Sequence, residues 1–419
     1  MKRWGWTSCS LALAAVLVFT AASCKQKTAA TKTLPPGTVE EIDAVVAEFM
    51  KEHGSPGAMV GVWTAEGTAF TKMYGLAGIS PERAMSEKME FRIGSVTKTF
   101  TGVLVLQLAD EGLLSIDDPV SKFVEGIPDG DLITVRMLLN HTSGIFNYGA
   151  DVKLNEAIVA DPHKVWTPEE LVGAGIANPP YFAPGQGCMY SNTNYVLLGM
   201  IVEKATGRSF EEELAKRITG PLGLASTYMA ETPYLAGSYV HGYQYDRDSG
   251  ENFDLTDYLD PSIVWAAGGM VSTLQDLRTW GQALGEGRLL EPATYRAALE
   301  GMNELPYMTD YFGWPLLYGL GIMACFIGLG LLITVVLGKN IATLAGNPWT
   351  NLVIAGLFVV FGLGLIACVR AARREAGARL VLVLLLATLA PAFVSPVDIV
   401  DIVHAAAISV PVALLAAAG

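Results

Sequence analysis

The sequence predicts an α+β fold, with an antiparallel sheet flanked by helices, followed by an α-helical membrane region. The sheet is predicted because a helical pattern and a hairpin pattern follow each other near the start of the chain, over residues 38–76. The membrane region is predicted because residues 315–419 contain only five basic and three acidic residues. Charged residues make up 16% of the 419 residues, against about a quarter in an ordinary soluble protein.

The charge of the chain limits the partners it can have. The whole chain has a formal net charge of −13, and residues 1–314 alone carry −15. Binding to nucleic acid needs clustered Lys and Arg, and this acidic part has no basic stripe, so no nucleic-acid partner is expected. Of the five cysteines, only Cys188 lies between the leader and the membrane region, which excludes a scaffold held together by disulfides.

Residues 1–24 are predicted to be a bacterial secretory signal peptide, with a charged start, an apolar centre and small residues leading to Cys24. This ending resembles the lipobox of bacterial lipoproteins, in which the Cys is lipidated, although Ala21 stands where Leu is usual. Cleavage near Cys24 by ordinary signal peptidase is the alternative. Residues 25–37 are predicted to be a linker. We therefore expect the domain that follows to lie on the periplasmic or extracellular face of the cell envelope, anchored in membrane lipid.

The first elements of the exported domain are predicted from hydrophobic spacing. Thr38 and Glu41 have the spacing of a capping box, and apolar residues follow with helical spacing, which predicts a helix from about residue 38 to Gly54. Residues 58–64 and 68–76 are rich in β-branched and aromatic residues and are separated by a short polar turn. They predict a hairpin, and hence a sheet with helices packed against it.

A nucleophile and its base are predicted at the start of the next helix. Ser95 and Lys98 stand three residues apart before a helical apolar pattern, so their side chains share one helix face and can reach each other. The positive end of the helix dipole also favours the oxyanion that forms during acyl transfer. This spacing alone is a weak signal, and a solvated helix face is the alternative interpretation.

Three further segments follow Ser95, and their order is informative. They are Arg136–Ile145, which contains Asn-His-Thr-Ser-Gly, Tyr181–Tyr195, which contains Tyr-Ser-Asn, and Trp265–Thr273. In this order the segments resemble the serine β-lactamase and penicillin-binding-protein-like hydrolases, in the branch of class C β-lactamases, D-alanyl-D-alanine carboxypeptidases and related esterases. The resemblance covers residues 38–322 and implies the β-lactamase/DD-peptidase-like fold for residues 38–314.

The resemblance implies a role for each site residue. Ser95 is the nucleophile that is acylated, Lys98 its general base, Tyr190 the second acid or base, and Asn192 a hydrogen-bond donor to the substrate and to Lys98. Lowering the pKa of Lys98 requires burial or a neighbouring cation or phenol. We expect a β-lactam, a D-Ala-D-Ala-type (peptidoglycan-type) peptide or an ester as the substrate, with no cofactor. His141 is expected to shape its loop by bonding to the backbone.

The sequence gives no support for a metal site. The remaining histidines lack the spacing of known metal motifs; they are His53, His163, His241 and His404. Cys188 is expected to be a small buried side chain.

The family's third active-site box is missing. Lys or His followed by Thr or Ser and then Gly is expected after a Tyr-Gly-Leu-Gly segment; Tyr318-Gly-Leu-Gly is present, but no such box follows over residues 323–419. Tyr318 therefore belongs either to a remnant of the family strand or, by chance, to a membrane helix. We expect the sheet to lack its last strands. The alternative function is a catalytically impaired, ligand-binding or sensory ectodomain.

Residues 315–419 are predicted to form about four transmembrane segments. Each is long enough, or nearly so, to cross a hydrocarbon core of ~30 Å. The four segments are 315–337, 352–369, 380–397 and 402–418. Aromatic residues precede the first two, as is typical of the membrane interface.

Overall fold

The computed structural model describes residues 33–34, 36–63, 69–300, 302–305, 316–325, 383–386 and 412–416. Within these ranges the helices are α1 Pro36–Glu52, α2 Thr97–Asp110, α3 Val135–Leu139, α4 Val152–Ala160, α5 Pro168–Ile176, α6 Asn192–Thr206, α7 Phe210–Leu214, α8 Gly220–Leu222, α9 Trp265–Gly268, α10 Leu274–Gly285 and α11 Pro292–Leu299. The strands are β1 Gly57–Trp63, β2 Ala69–Ile79, β3 Glu82–Ala84, β4 Phe91–Arg92, β5 Tyr228–Met229, β6 Tyr243–Tyr245, β7 Asn252–Asp254, β8 Met270–Ser272, β9 Asn303–Glu304, β10 Leu316–Tyr318, β11 Met323–Cys325, β12 Val383–Leu386 and β13 Val412–Ala416.

The largest sheet has five strands in the order β12-β13-β1-β2-β3. Its centre is the predicted hairpin, in which β1 and β2 run antiparallel from the pair Gly57 and Gly75 to the pair Trp63 and Ala69. β1 is buried along almost its whole length, as its Val, Met and Trp residues favour. The α+β fold is therefore confirmed.

Two helices pack on this sheet, α1 against β1 and α10 against β1, β12 and β13. α1 begins at Pro36, so the predicted cap at Thr38 is wrong, and Thr38 lies inside the helix; Pro is favoured in the first turn, where its missing N–H is not needed. Lys72 and Tyr74 of β2 each donate a hydrogen bond of 2.7 Å to the Asp43 carboxylate of α1.

The helical part is built around α2 and α6, which pack against each other and against α9. α2 is buried on most of its surface, as is typical of a central helix that is apolar all round. Phe100 of α2 stacks on Trp280 of α10 with ring centroids 3.9 Å apart. Trp280 Nε1 donates to Thr99 Oγ1 at 2.9 Å. The sheet and the helical part thus share one core through α10.

The expectation that the sheet lacks its last strands is wrong. β13 pairs in parallel with β1, from Met59 with Val412 to Val62 with Leu415, and β12 pairs antiparallel with β13. These strands lie in segments whose continuous apolar sequence predicted membrane helices. A short apolar run has the same appearance in a buried strand as in a helix, because a strand covered on both faces does not alternate with polar residues.

The first predicted membrane segment is also strand where it is described. β10 and β11 form a hairpin, and β10 pairs with β9 on its other side. The turn between them contains Gly321 at φ +76°, and its Cα faces Gly102 of α2 so closely that a Cβ on either glycine would be 2.7 Å from the other Cα. The Tyr318 segment is therefore a strand packed on the core beside α2, and not part of a membrane helix.

No helix within the described ranges has the length and apolarity to cross a bilayer. The predicted segment 352–369 and the rest of the other three lie outside those ranges, as do the predicted signal peptide, Cys24 and most of the linker.

Candidate active site

The loop between β4 and α2 places Ser95 at the surface. It lies in a single 3₁₀ turn, Gly94–Val96, that leads into α2, and Gly94 supplies the positive φ of +49° with which the turn begins. Two bonds to β8 hold this turn: Ile93 N–H donates to Met270 O at 3.0 Å, and Met270 N–H donates to Thr97 Oγ1 at 3.2 Å. Ser95 is exposed, so a substrate can approach its hydroxyl.

Lys98 lies directly behind Ser95, with its side chain 1% exposed. Its Nζ is 3.2 Å from Ser95 Oγ and 2.7 Å from both Asn192 Oδ1 and Ala267 O. Burial disfavours the charged form and lowers the pKa of Lys98 well below that of an exposed lysine. The site therefore favours a neutral amine.

The three oxygen neighbours of Nζ determine where that amine points. A neutral lysine has two N–H bonds and one lone pair. The amide oxygen of Asn192 and the carbonyl of Ala267 are acceptors only, and as the two shorter contacts they take both N–H bonds. The lone pair is left facing Ser95 Oγ, where it can accept the hydroxyl proton.

Tyr190 approaches Ser95 from the irregular segment that directly precedes α6. Its hydroxyl donates to Ser95 Oγ at 2.8 Å, and burial raises the pKa of this phenol, so it remains protonated and can act as an acid. Lys98 Nζ also lies 4.8 Å from the centre of the Tyr190 ring and 5.4 Å from that of Tyr195. These π-faces favour the ammonium group that forms when Lys98 takes up a proton.

Asn147, which the sequence analysis did not single out, fixes the start of α6. Its side-chain oxygen accepts the N–H of Asn192, the first residue of the helix, at 3.1 Å. Thr193 Oγ1 donates to Phe146 O at 2.7 Å, so this loop holds α6 at two points. The structure thus brings Ser95, Lys98, Tyr190 and Asn192 together, although Asn192 uses its oxygen to accept from Lys98.

An aromatic cluster supports Tyr190 from behind. The His141 ring lies 4.6 Å from that of Tyr190, 5.2 Å from that of Tyr195 and 4.5 Å from that of Tyr318. Tyr318 OH donates to Tyr195 OH at 2.9 Å, and Tyr195 OH donates to Leu139 O at 3.0 Å. His141 accepts the backbone N–H of Ser191, as expected from the sequence. The sequence predicted neither the place of Tyr318 in this cluster nor the contact of Ala267 O with Lys98.

Among the described residues around Ser95, no second nucleophilic side chain is activated as Ser95 is. Cys188 is half-buried, and burial raises the pKa of its thiol to about 11, so it is not a thiolate at neutral pH. Among the described residues, no three His, Cys, Asp or Glu side chains gather closely enough to hold a metal ion. The arrangement can therefore perform acyl transfer through a lysine-activated serine.

Comparisons with known proteins identify the family to which the chain belongs. Residues 42–396 match the family model described as "Beta-lactamase". Penicillin-binding protein 4* of Bacillus subtilis is 32% identical over 259 residues, which are 58% of this chain and 56% of that protein. The chain spans about half the length of the curated relatives it matches.

Two solved structures extend the comparison to the fold. A D-stereospecific amidohydrolase from Streptomyces is 33% identical with a TM-score of 0.60, and the match covers 70% of this chain and 84% of that one. A D-amino acid amidase from Ochrobactrum anthropi is 25% identical with a TM-score of 0.60, covering 68% of this chain and 82% of that one.

Proposed function

The chain belongs to the Beta-lactamase family, and we propose that it is a serine hydrolase that acts through an acyl-enzyme formed on Ser95. The observation that carries this proposal is the position of Lys98, a buried amine 3.2 Å from Ser95 Oγ. A serine at an exposed turn gains a base only if such an amine is neutral, and burial favours that state.

In the proposed acylation, Ser95 Oγ attacks the substrate carbonyl carbon while the Lys98 lone pair takes the hydroxyl proton. The carbonyl π-electrons move to its oxygen, and the oxyanion forms near the start of α2, where the helix dipole is positive. Asn192 and Ala267 keep Nζ in place during this transfer, since both remain acceptors of its N–H bonds.

In the second half of the reaction, the oxyanion collapses and the bond to the leaving group breaks. Tyr190 donates its phenolic proton to the departing nitrogen or oxygen, and the proton held on Lys98 restores the phenol. Water then attacks the ester with the same groups in reverse roles, releases the acid and regenerates Ser95.

The proposed substrate is a carboxylic amide or ester: a β-lactam, a D-Ala-D-Ala-type peptide or an ester. Two of the similar structures are those of a D-stereospecific amidohydrolase and a D-amino acid amidase. Amides of D-amino acids are therefore the first compounds to test. The proposed place of action is the cell envelope, supported by the sequence of residues 1–24 alone.

Acylation of Ser95 tests this function directly. Purified protein is incubated with a fluorescent penicillin and, separately, with a fluorophosphonate, and its intact mass is followed over time. We expect one adduct on the wild type, none on Ser95→Ala, and an unchanged adduct on Ser86→Ala, a matched change at another exposed serine. Absence of any adduct on the folded wild type with both probes would contradict the proposal.

The same experiment addresses a second candidate function, a ligand-binding or sensory ectodomain with impaired catalysis. This candidate is favoured by the missing third box after Tyr318-Gly-Leu-Gly. Loss of one oxyanion donor typically slows catalysis about 10²–10³-fold, so acylation can persist where turnover does not. A stable adduct without product release would support the second candidate, whereas many turnovers per Ser95 would exclude it.

A further inference from the structure

His141 holds the chain on both sides of Tyr190. Its carbonyl oxygen accepts the N–H of Met189 at 3.0 Å, and its Nδ1 accepts the N–H of Ser191 at 3.2 Å. Its ring lies against that of Tyr190, with centroids 4.6 Å apart. We propose that His141 is the positioning residue of Tyr190, holding the phenol at the distance from Ser95 Oγ that proton transfer requires; this inference rests on the proposed function.

The hydrogen bonds determine the tautomer of His141. Nδ1 is approached by two donors, Ser191 N–H and Asn194 Nδ2, each at 3.2 Å. Ser143 Oγ donates to Asn194 Oδ1 at 2.7 Å and thereby turns the Asn194 amino group toward His141. Nδ1 must therefore carry no proton, and the ring proton is on Nε2.

On the Nε2 side of the His141 ring, no contact among the described residues favours a positively charged imidazolium. His141 Nε2 is buried without a hydrogen-bond partner among the described residues, and the ring meets Tyr318 edge to face. Burial, together with the nearby Lys98, lowers the pKa of His141 well below its usual value. Proton transfer at Ser95 is already supplied by Lys98 and Tyr190, so a neutral His141 acts through its shape and its acceptor.

The backbone of His141 is in an uncommon conformation. Its φ is +60°, in the left-handed region that non-glycine residues rarely adopt. This conformation directs both the carbonyl and the ring toward the segment 189–191. Strain of this kind persists only where surrounding contacts hold it and is concentrated at functional sites.

The segment that carries Tyr190 needs such support. Residues 187–191 precede α6 without regular secondary structure, yet the Tyr190 hydroxyl must stay 2.8 Å from Ser95 Oγ. A misplacement of about 1 Å in a catalytic group can reduce a rate about 10²-fold.

A double-mutant cycle distinguishes positioning from general stability. The rate of Ser95 acylation by an amide, whose leaving amine must take up a proton, is measured for the wild type, His141→Ala, Tyr190→Phe and the double variant, with each protein's active fraction titrated by fluorophosphonate. We expect His141→Ala to lower the maximal rate about tenfold to a hundredfold with little change in KM, because general acid–base catalysis is worth ~10²–10⁴-fold. In the Tyr190→Phe background the same change should lower the rate less than about twofold.

Two further variants keep the test decisive. Thr193→Val is the matched control, because it removes buried hydrogen bonds at the same helix start without touching Tyr190; its effect should be equal in both backgrounds. His141→Asn tolerates the positive φ and offers an acceptor, so we expect partial recovery, and it replaces His141→Ala in the cycle if that variant does not fold.

Equal effects of the His141 change with and without the Tyr190 hydroxyl would overturn the proposal. Failure of the wild type to be acylated would instead overturn the proposed function, so the two failures are distinguishable.

Discussion

Lys98 is held among oxygen acceptors and aromatic rings, and no carboxylate bonds its amine within the described part of the chain. Its protonation is therefore set mainly by burial, which disfavours the ammonium form. This arrangement differs from an ion pair, in which a partner charge would raise the pKa. It favours the neutral amine that the proposed function requires of Lys98.

The first prediction concerns the pH dependence of acylation. The rate should rise along a single limb with an apparent pKa well below that of an ordinary lysine, because only neutral Lys98 accepts the Ser95 proton. It should then remain level up to pH 10, since the pKa of the Tyr190 phenol is raised. Acylation by a neutral ester, followed from pH 5 to 10, measures this. A rise of the acylation rate centred near the usual pKa of lysine would contradict the prediction. The Lys98→Arg variant stays protonated and should therefore be inactive across the whole pH range.

The second prediction concerns stability. Since the pKa of folded Lys98 lies below that of the unfolded chain, folding releases a proton between those two values, and raising the pH stabilises the fold. Relative to Lys98→Met, the wild type should gain as much as about 1.4 kcal/mol in free energy of unfolding per pH unit. Urea unfolding of both proteins at pH 7, 8 and 9 provides the comparison. Parallel pH dependences would show that folded Lys98 stays charged.

Much of this site is predictable at the residue level. The spacing of Ser95 and Lys98 places both on one helix face, and the Tyr190 and Asn192 motif is local. Ala267 could not be found in this way, because its contribution is a backbone carbonyl that any residue possesses. The only local signal was the run of small residues around it, which allows α9 to approach Lys98 closely.

At the scale of elements, the hairpin β10–β11 depends on two glycines that let its turn touch α2. Gly102 and Gly321 face each other with no room for a Cβ, and Gly321 N–H donates to Leu139 O at 3.2 Å. The turn therefore links α2 to the loop that carries His141.

The third prediction tests this contact with a pair of glycines. Gly102→Ala should lower the free energy of unfolding by about 1–3 kcal/mol, because the added Cβ meets backbone that cannot rotate away. Gly173→Ala, in the middle of α5 with open space around it, should instead raise it by about 0.5–1 kcal/mol through helix propensity. Denaturant unfolding measures both. If both changes had the same effect on the free energy of unfolding, the turn would not be in close contact with α2.

Elements were predictable where their apolar residues had helical spacing, as in α1, or where a turn separated them, as in β1 and β2. The sequences of β12 and β13 predict membrane helices because every residue in the two strands is apolar. Local sequence cannot distinguish a buried strand from a membrane helix here. The difference depends on pairing with β1, which lies far away along the chain.

At the scale of the whole molecule, the fourth prediction concerns attachment to the envelope. Cells expressing the chain with labelled palmitate should yield labelled protein in the membrane fraction, because a Cys after small residues is the acceptor expected in lipoproteins. Cys24→Ala should lose the label and Cys9→Ala, within the leader, should keep it. Retention of the label in Cys24→Ala would contradict lipidation at this residue.

The partners of Lys98 come from distant parts of the chain: Asn192 is 94 residues away and Ala267 is 169 residues away. A chain that is still being synthesised, or is threaded through a membrane in extended form, cannot bring them together. Its serine is then an ordinary alcohol beside a fully hydrated ammonium group. The covalent reactivity that we propose for Ser95 therefore arises only after these long-range contacts have formed, and the chain lacks it until it reaches its native topology.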